Sequence, residues 1–214
     1  MKLQIIVGST RPTRAADMVT PWVTNRAALH EAFDTEVLDL RDWPLPMFGE
    51  HVGSIGDRTD PTYSDVRVRA WNRKIAEADA YLVVTPEYND SIPGELKNAI
   101  DSVFVSFAFR NKPLAMVGYS GGVGGGIRAI EHLVQVAVEV EAAPLRSTVV
   151  LPFVDGSLMP TASRLTPRPR SACRSCSTTW PGGRLPSAMP GPQASSSPAR
   201  CARGWRPRYP LPRP

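Results

Sequence analysis

Residues 80–101 read AYLVVTPEYNDSIPGELKNAID, and they contain the pattern that decides the fold. Residues 80–85 form a short apolar run, which is typical of a strand covered on both faces. A polar loop, residues 86–93, follows this strand and leads into a helix predicted at 94–103. Because open α/β sheets bind their ligands at the carboxyl ends of parallel strands, this loop is a candidate binding loop.

The same succession of strand, loop and helix continues through the first 155 residues. It predicts a parallel, doubly wound α/β sheet with helices on both faces. Pro21 lies inside the first predicted helix and should kink that helix or mark a later start. Residues 49–63 show no periodicity and are expected to form a mobile loop beside the cleft. The predicted strands are 2–7, 37–40, 80–85, 114–118 and 148–151, and the predicted helices are 15–29, 66–77, 94–103 and 127–140.

The charge of the chain changes sign near residue 160. Residues 1–160 carry 15 basic and 20 acidic side chains, whereas residues 161–214 carry 10 arginines and no acid. The net charges are therefore −5 and +10. Residues 161–214 also hold 11 of the 22 prolines and all 3 cysteines. We expect residues 1–160 to form one folded domain and residues 161–214 to be a disordered tail.

Two interpretations of residues 161–214 are open. The arginines, with Trp180, Trp205 and Tyr209 as stacking groups, would suit a basic arm that binds nucleic acid or another polyanion. The lysine-free, proline-rich composition favours instead a segment without function, such as a frameshift near residues 156–160 of a GC-rich gene would produce. Nucleic acid is thus the less favoured partner. The cysteines lack the second ligand pair of a zinc site, and their role stays open: Cys173, Cys176 and Cys201.

The amino terminus, MKLQIIVGST, has an apolar run too short for a signal peptide. No apolar run in the chain reaches the length of a membrane span. Residues 1–172 contain no cysteine, which fits a reducing compartment. The sequence therefore predicts a cytoplasmic protein without a membrane partner.

The first loop, residues 8–14, joins a strand to a helix and reads GSTRPTR. Backbone N–H groups and the helix dipole favour an anion at such a helix start. Ser9 adds a hydroxyl, and Arg11 and Arg14 add charged donors. The loop is neither a Walker loop nor a G-x-G-x-x-G fingerprint. A phosphate-binding loop and an ordinary turn with two solvated arginines both remain open.

The second loop, residues 86–93, has a proline at each end and offers polar groups to a planar ring at Glu87, Tyr88 and Asn89. On the helix that follows, Lys97 and Asp101 are four residues apart, so a surface ion pair is favoured over a catalytic lysine. The third loop, residues 120–126, reads SGGVGGG and allows a flat ligand to approach the backbone closely. Three such loops at one edge of a sheet indicate a phosphate-bearing cofactor.

Together these motifs resemble the NADPH-dependent FMN reductase family over residues 1–155. The Gly-Ser-x-Arg loop of that family is matched at 8–11, and its Ser/Gly-rich loop at 120–126. Its Pro-Glu-Tyr-Asn loop and Pro-Gly-x-Leu-Lys-Asn helix start are matched at 86–89 and 93–98. The resemblance implies a flavodoxin-like, five-stranded parallel sheet of order 2-1-3-4-5. The family's last helix has no match after residue 160, so it is expected to be missing or replaced by the tail.

The resemblance also implies FMN as the cofactor. The phosphate would bind at Ser9, Arg11, Arg14 and the helix start around Ala16. The isoalloxazine ring would lie between the second and third loops, against Pro86, Glu87, Tyr88 and Asn89 on one side and Ser120, Gly121, Gly122 and Gly125 on the other. No residue is expected to be catalytic, because the flavin supplies the chemistry.

The implied reaction is a ping-pong hydride transfer from NADPH or NADH to FMN and then to an acceptor. Free flavin, a quinone, an azo dye or chromate are the acceptors expected, and a homodimer or homotetramer in which a neighbour covers the flavin is the expected assembly. Two alternatives are kept. One is a flavodoxin-type electron carrier that does not use a nicotinamide, and the other is an inactive chain whose basic tail binds polyanions.

Overall fold

The computed structural model describes residues 1–56 and 63–154, and strands and helices alternate along them. The tail, with its cysteines and aromatic residues, and residues 57–62 of the predicted mobile loop lie outside this description. The elements are β1 (Lys2–Val7), α1 (Ala16–Ala28), β2 (Asp34–Asp39), α2 (Val66–Ala76), β3 (Ala80–Pro86), α3 (Gly94–Asp101), β4 (Pro113–Tyr119), α4 (Ile127–Glu139), β5 (Ala143–Pro144) and β6 (Val149–Leu151).

All strand pairs of the sheet are parallel, and its order is β2-β1-β3-β4-β5, with β6 also paired to β4. The predicted flavodoxin-like order is therefore confirmed. The fifth position differs from the prediction, because two short strands fill it in succession. β5 pairs with Pro113 and Leu114, and β6 pairs farther along β4, at Val117 to Tyr119. Pro144 has no N–H to donate, which limits the length of β5.

Apolar side chains cover the sheet on both faces. On one face α2, α3 and α4 pack against the strands through buried residues that include Trp71, Leu96 and Leu133. On the other face α1 packs through Ala16, Val19 and Val23. The continuous apolar runs of β1, β3 and β4 are thus explained, because these strands are buried on two sides.

Several element boundaries differ from the sequence prediction by one to three residues; α3, for example, ends at Asp101 and not at 103. Helix α1 begins at Ala16, five residues before Pro21, so the later start is wrong. An internal proline removes one N–H hydrogen bond and crowds the carbonyl four residues before it, and α1 nevertheless continues to Ala28. Strand β2 begins at Asp34, three residues earlier than predicted. Its first half is polar and half-exposed, and so it lacks the apolar run on which the prediction depended.

Candidate functional site

The first loop begins where β1 meets α3. The Gly8 N–H donates to the Val84 carbonyl at 2.9 Å, so the chain leaves the sheet beside β3. A Cβ at Gly8 would lie 2.9 Å from Cδ2 of Leu96. A side chain here would force Leu96 of α3 to move, so glycine is the residue that fits between the strand end and α3 without displacing the core.

Arg14 is held inside the fold, although the first loop is polar. Its side chain is 4% exposed and pairs with Asp39 at the end of β2, donating to Oδ1 at 2.7 Å. It also donates to Asp17 at 2.8 Å and to the Ser9 carbonyl. Burial alone would raise the pKa of the Asp39 carboxyl, but the hydrogen bonds from Arg14 and from the Arg41 backbone outweigh it and hold this pKa below its usual value. Arg14 thus clamps the first loop to α1 and β2.

Ser9 and Tyr88 join the first loop to the second. Ser9 is fully buried, and its Oγ lies 2.7 Å from the Tyr88 hydroxyl. The Arg11 guanidinium lies 5.5 Å from the centre of the Tyr88 ring, within the range of a cation–π contact. Arg11 is exposed, in contrast to Arg14, so its charge faces solvent beside the cleft.

The tip of the second loop is a tight turn. Asn89 and Asp90 both have left-handed backbone angles, with φ of 50° and 63°. The backbones of Tyr88 and Ser91 exchange hydrogen bonds of 2.9 and 3.1 Å across them. Two successive left-handed residues define a two-residue hairpin turn, for which Asn and Asp are well suited. The turn fixes Tyr88 on the cleft side and leaves the Asn89 side chain exposed.

Glu87 joins the second loop to the third. Its side chain is 8% exposed and pairs with Arg128 at 2.9 Å. The other carboxylate oxygen accepts from the Arg128 backbone N–H at 3.1 Å, in the first turn of α4. A carboxylate at a helix start satisfies an N–H group and complements the helix dipole. The Glu87 side chain is thus used to hold α4.

Within the third loop the glycines have two different roles. Gly126 has φ of 91°, and a Cβ there would lie 2.3 Å from the Tyr119 nitrogen. Gly125 has φ of 60°, and its Cβ would meet Val150 at 2.6 Å, so this glycine packs on β6. A Cβ at Gly121, by contrast, would meet no atom within 4 Å in the described part of the chain. The open backbone of the loop is therefore at its beginning.

A cleft of about 280 Å³ lies where the three loops meet. Seven of the twelve residues predicted for the cofactor line it: Arg11, Arg14, Pro86, Glu87, Tyr88, Ser120 and Gly121. The other five do not line it. Ser9 and Ala16 are fully buried, Asn89 is exposed at the turn, and Gly122 and Gly125 lie elsewhere in the third loop.

Four lining residues were missed by the sequence analysis, namely Thr13, Ala15, Tyr119 and Val154. Thr13 lies in the first loop and Ala15 follows it, so both could have been predicted from their position beside Arg14. Tyr119 ends β4, and in the sequence it is indistinguishable from a core residue.

The cleft offers hydrogen-bond donors to an anion. Helix α1 has no side-chain cap, and the first N–H groups of a helix have no intrahelical acceptor. The Tyr119 hydroxyl is buried and has no hydrogen-bond partner in the described part of the chain. Burial, the largest effect, raises the pKa of Tyr119, so its hydroxyl stays protonated and remains a donor. These residues fit the phosphate of a mononucleotide.

A second, larger cleft of about 530 Å³ lies between the segment after β2 and the start of α3. Trp43, Leu45 and Met47 line it, together with Thr10 of the first loop. Asn98 of α3 forms its wall, accepting from the Phe48 N–H and donating to the Pro46 carbonyl, both at 2.8 Å. The asparagine of the Pro-Gly-x-Leu-Lys-Asn motif thus fixes the segment that lines this cleft.

A parallel sheet of this order, with three loops meeting at a cleft beyond its carboxyl edge, defines a flavodoxin-like α/β protein. The model of the NADPH-dependent FMN reductase family matches residues 1–155. The chain belongs to this family, whose members use FMN as the flavin and NAD(P)H as the co-substrate.

Characterised relatives agree with this assignment. An NAD(P)H-dependent FMN reductase of Schizosaccharomyces pombe is 34% identical over 151 residues, which cover 71% of this chain and 74% of the relative. An NAD(P)H:quinone oxidoreductase of Solanum tuberosum is 49% identical over 106 residues, 49% of this chain and 50% of that protein. The flavoenzyme FerB of Paracoccus denitrificans, an NAD(P)H:(acceptor) oxidoreductase, superposes with a TM-score of 0.57 at 25% identity, covering 69% of this chain and 77% of FerB.

None of the helices within residues 1–56 and 63–154 has the length and apolar character needed to span a membrane. His, Cys, Asp and Glu side chains form no group in these residues that could hold a metal ion.

Proposed function

We propose that the protein binds FMN in the cleft between the three loops and passes electrons from NAD(P)H through this flavin to a second substrate, in a ping-pong sequence. The observation that carries the proposal is the convergence of the three family motifs on one cleft that has free donors. A cleft of about 280 Å³ is at the lower end of the range for ligand sites, so part of the flavin would extend beyond it.

The residues divide by position. Arg11, Thr13 and the first N–H groups of α1 are placed to bind the phosphate, since they surround the cleft beside the helix start. Pro86 and the backbone of Tyr88 on one side, and the open backbone of residues 120–122 on the other, are placed to hold the ring, while the Tyr88 hydroxyl faces the first loop. Arg14 supports this site by fixing the first loop, because two carboxylates already neutralise its charge.

Bound FMN would supply the redox chemistry by accepting a hydride from the nicotinamide. The chain itself orients the ring and excludes water from one side of it. The tyrosines of the cleft serve as hydrogen-bond donors, and no side chain is needed as an acid or base.

Quinones and free flavin are the acceptors that the relatives favour. One relative, from Burkholderia, is named a 2-hydroxy-1,4-benzoquinone reductase and is 32% identical over 136 residues, 62% of this chain. We extend the proposal to azo dyes and chromate on the family resemblance alone. The same resemblance supports a homodimer or homotetramer, and the absence of cysteine before residue 173 supports a cytoplasmic location.

Steady-state oxidation of NADPH with a benzoquinone acceptor tests the function. Parallel double-reciprocal lines at several quinone concentrations are expected from a ping-pong enzyme, and intersecting lines would contradict that sequence. A chain that binds FMN without oxidising NADPH would instead be a flavodoxin-type carrier.

Replacement of Arg11 tests the phosphate site. Arg11→Ala should weaken FMN binding about tenfold or more, because a charged hydrogen bond contributes about 1.5–3 kcal/mol. Arg73→Ala, which removes an exposed arginine from α2, is the matched control and should bind FMN normally. Equal affinity for the two variants would exclude Arg11 from the site.

A further inference from the structure

Three hydroxyl groups meet beneath the cleft, one from each of β4, the first loop and the second loop. They belong to Tyr119, Ser9 and Tyr88. Tyr119 is 3% exposed and Ser9 is fully buried, whereas Tyr88 is half-buried and lines the cleft. The cluster therefore runs from the protein interior to the ligand cleft.

The hydrogen bonds of this cluster are incomplete. Ser9 Oγ and the Tyr88 hydroxyl lie 2.7 Å apart, and either of them can be the donor. The Tyr119 hydroxyl lies close enough to Ser9 for hydrogen bonding to that side chain to act on its pKa, but it has no partner with full hydrogen-bond geometry among the described residues. A buried hydroxyl without a well-aligned partner destabilises the folded state. Such a cost at the floor of a binding cleft calls for a functional explanation.

We propose that Tyr119 is a positioning residue that directs this cluster toward a phosphate monoester in the cleft. When the phosphate binds, the Tyr119 hydroxyl donates to Ser9 Oγ, and Ser9 donates to the Tyr88 oxygen. Tyr88 then donates its own hydrogen to the phosphate. Each hydroxyl gives one hydrogen, and the series ends on the anion, so every donor is satisfied.

The surroundings fit this direction. The Arg11 guanidinium lies over the Tyr88 ring, so an anion beside Tyr88 would also meet a positive charge. Burial raises the pKa of Tyr119, which keeps its hydrogen available as the first donor of the series. Hydrogen bonds in series polarise one another, so the last donor, Tyr88, gains strength from the buried ones. The inference rests on the proposed function, because it takes the phosphate of FMN as the anion.

Flavin binding to the full-length protein tests the proposal, with FMN and riboflavin as probes. Fluorescence quenching gives the dissociation constant for each. Tyr119→Phe should raise the constant for FMN about three- to tenfold and leave that for riboflavin unchanged, since riboflavin has no phosphate. In a Tyr88→Phe background the same substitution should change FMN binding less than twofold, because the last donor is gone.

Tyr81→Phe is the matched control, since its hydroxyl is buried away from the cleft and donates to the Ile75 carbonyl at 2.6 Å. This control should lower the melting temperature and keep FMN affinity. Tyr119→Phe should show the opposite pattern, with the melting temperature of the flavin-free protein unchanged or raised.

Equal FMN binding by Tyr119→Phe and the parent would overturn the inference. So would an equal loss of riboflavin affinity, or additivity with Tyr88→Phe. A parent chain that binds no FMN would overturn the proposed function and this inference together, whereas a parent that binds FMN as tightly as its Tyr119→Phe variant would overturn the inference alone.

Discussion

At the scale of single residues, Arg14 shows that a basic residue of a ligand-binding motif can also form ion pairs within the fold. Arg14 is predicted to contact the phosphate and lines the cleft, and two carboxylates and a carbonyl also surround its guanidinium. Arg11, three residues earlier, is exposed beside the cleft. The motif predicts that this loop is basic. Only the tertiary contacts show that Arg14 is buried among carboxylates and that Arg11 is accessible.

The Arg14–Asp39 pair should make the stability of the protein depend on pH. The pKa of Asp39 is lowered in the folded state, so its contribution is present above the unfolded pKa of about 3.9 and is lost as the pH falls through the folded value. Asp39→Asn should therefore reduce the free energy of unfolding by about 1–3 kcal/mol at pH 7, measured by urea denaturation.

As the pH falls from about 4 through the lower folded-state pKa, the difference between Asp39→Asn and the parent should shrink, because the parent carboxyl is protonated first in the unfolded state and then in the folded state. The control is Asp101→Asn, which breaks the surface pair with Lys97 and should cost less than about 0.5 kcal/mol. Equal costs for the two variants would show that the buried clamp does not stabilise the fold.

Gly126 gives a steric prediction. Its φ of 91° and the 2.3 Å approach of a Cβ to the Tyr119 nitrogen leave no room for a side chain. Gly126→Ala should lower the free energy of unfolding by at least about 2 kcal/mol, through strain and a backbone clash. Gly94→Ala, where a Cβ would meet no described atom within 4 Å, should stay within about 0.5 kcal/mol of the parent. Thermal or urea denaturation measures both losses, and an equal loss for Gly126→Ala and Gly94→Ala would contradict the steric argument.

Sequence located the three loops of the site but not the direction of every side chain. Ser9 was predicted to contact phosphate because it is a hydroxyl in a strand–helix turn, yet it is fully buried against Tyr88. Tyr119 was missed because a tyrosine that ends an apolar strand has the pattern of a core residue. The contact of Ser9 with phosphate stays a prediction, and the omission of Tyr119 has a physical cause: the side on which a residue at a strand end lies depends on neighbouring loops that are distant in sequence.

At the scale of elements, prediction succeeded where burial is two-sided. β1, β3 and β4 are continuous apolar runs and were placed within about one residue. The polar start of β2 and the two-residue β5 carry no such pattern. The predicted β2 therefore begins three residues too late, and β5 is absent from the prediction. The Lys97–Asp101 surface pair, at 2.7 Å, is confirmed as the alternative to a catalytic lysine.

Helix α3 presents two neighbouring motif residues with different roles. Asn98 makes two hydrogen bonds to the segment 46–48, whereas Lys97 makes a surface pair. Asn98→Ala should cost about 1 kcal/mol of stability because it leaves the part-buried Phe48 N–H and Pro46 carbonyl without their partner. Lys97→Ala should cost less than about 0.5 kcal/mol. If limited proteolysis within residues 46–48 is no faster in Asn98→Ala than in Lys97→Ala, Asn98 does not hold this segment.

At the scale of the whole molecule, the chain joins an acidic family domain to a strongly basic segment. The family match ends at residue 155, and residues 161–214 carry the +10 charge. The frameshift, the basic arm and the roles of the cysteines remain predictions from sequence, because they concern residues outside the structural description. A frameshift would be revealed by an acidic, amphipathic helix in another reading frame of the gene.

A polyanion-binding tail makes a different prediction for the whole chain. Binding to nucleic acid would then weaken steeply with salt, because each neutralised phosphate releases counterions. Retention on a nucleic acid column that disappears when residues 161–214 are deleted would support the basic arm. Retention that survives the deletion would contradict it.

The most direct test of the account is an anaerobic titration of the purified full-length protein with FMN and then NADPH. We expect one FMN to bind per chain, NADPH to bleach the visible flavin band, and a quinone to restore it. A folded chain that binds no FMN would contradict the assignment of the three-loop cleft. Bound FMN that NADPH fails to bleach would contradict the reductase and leave the electron carrier.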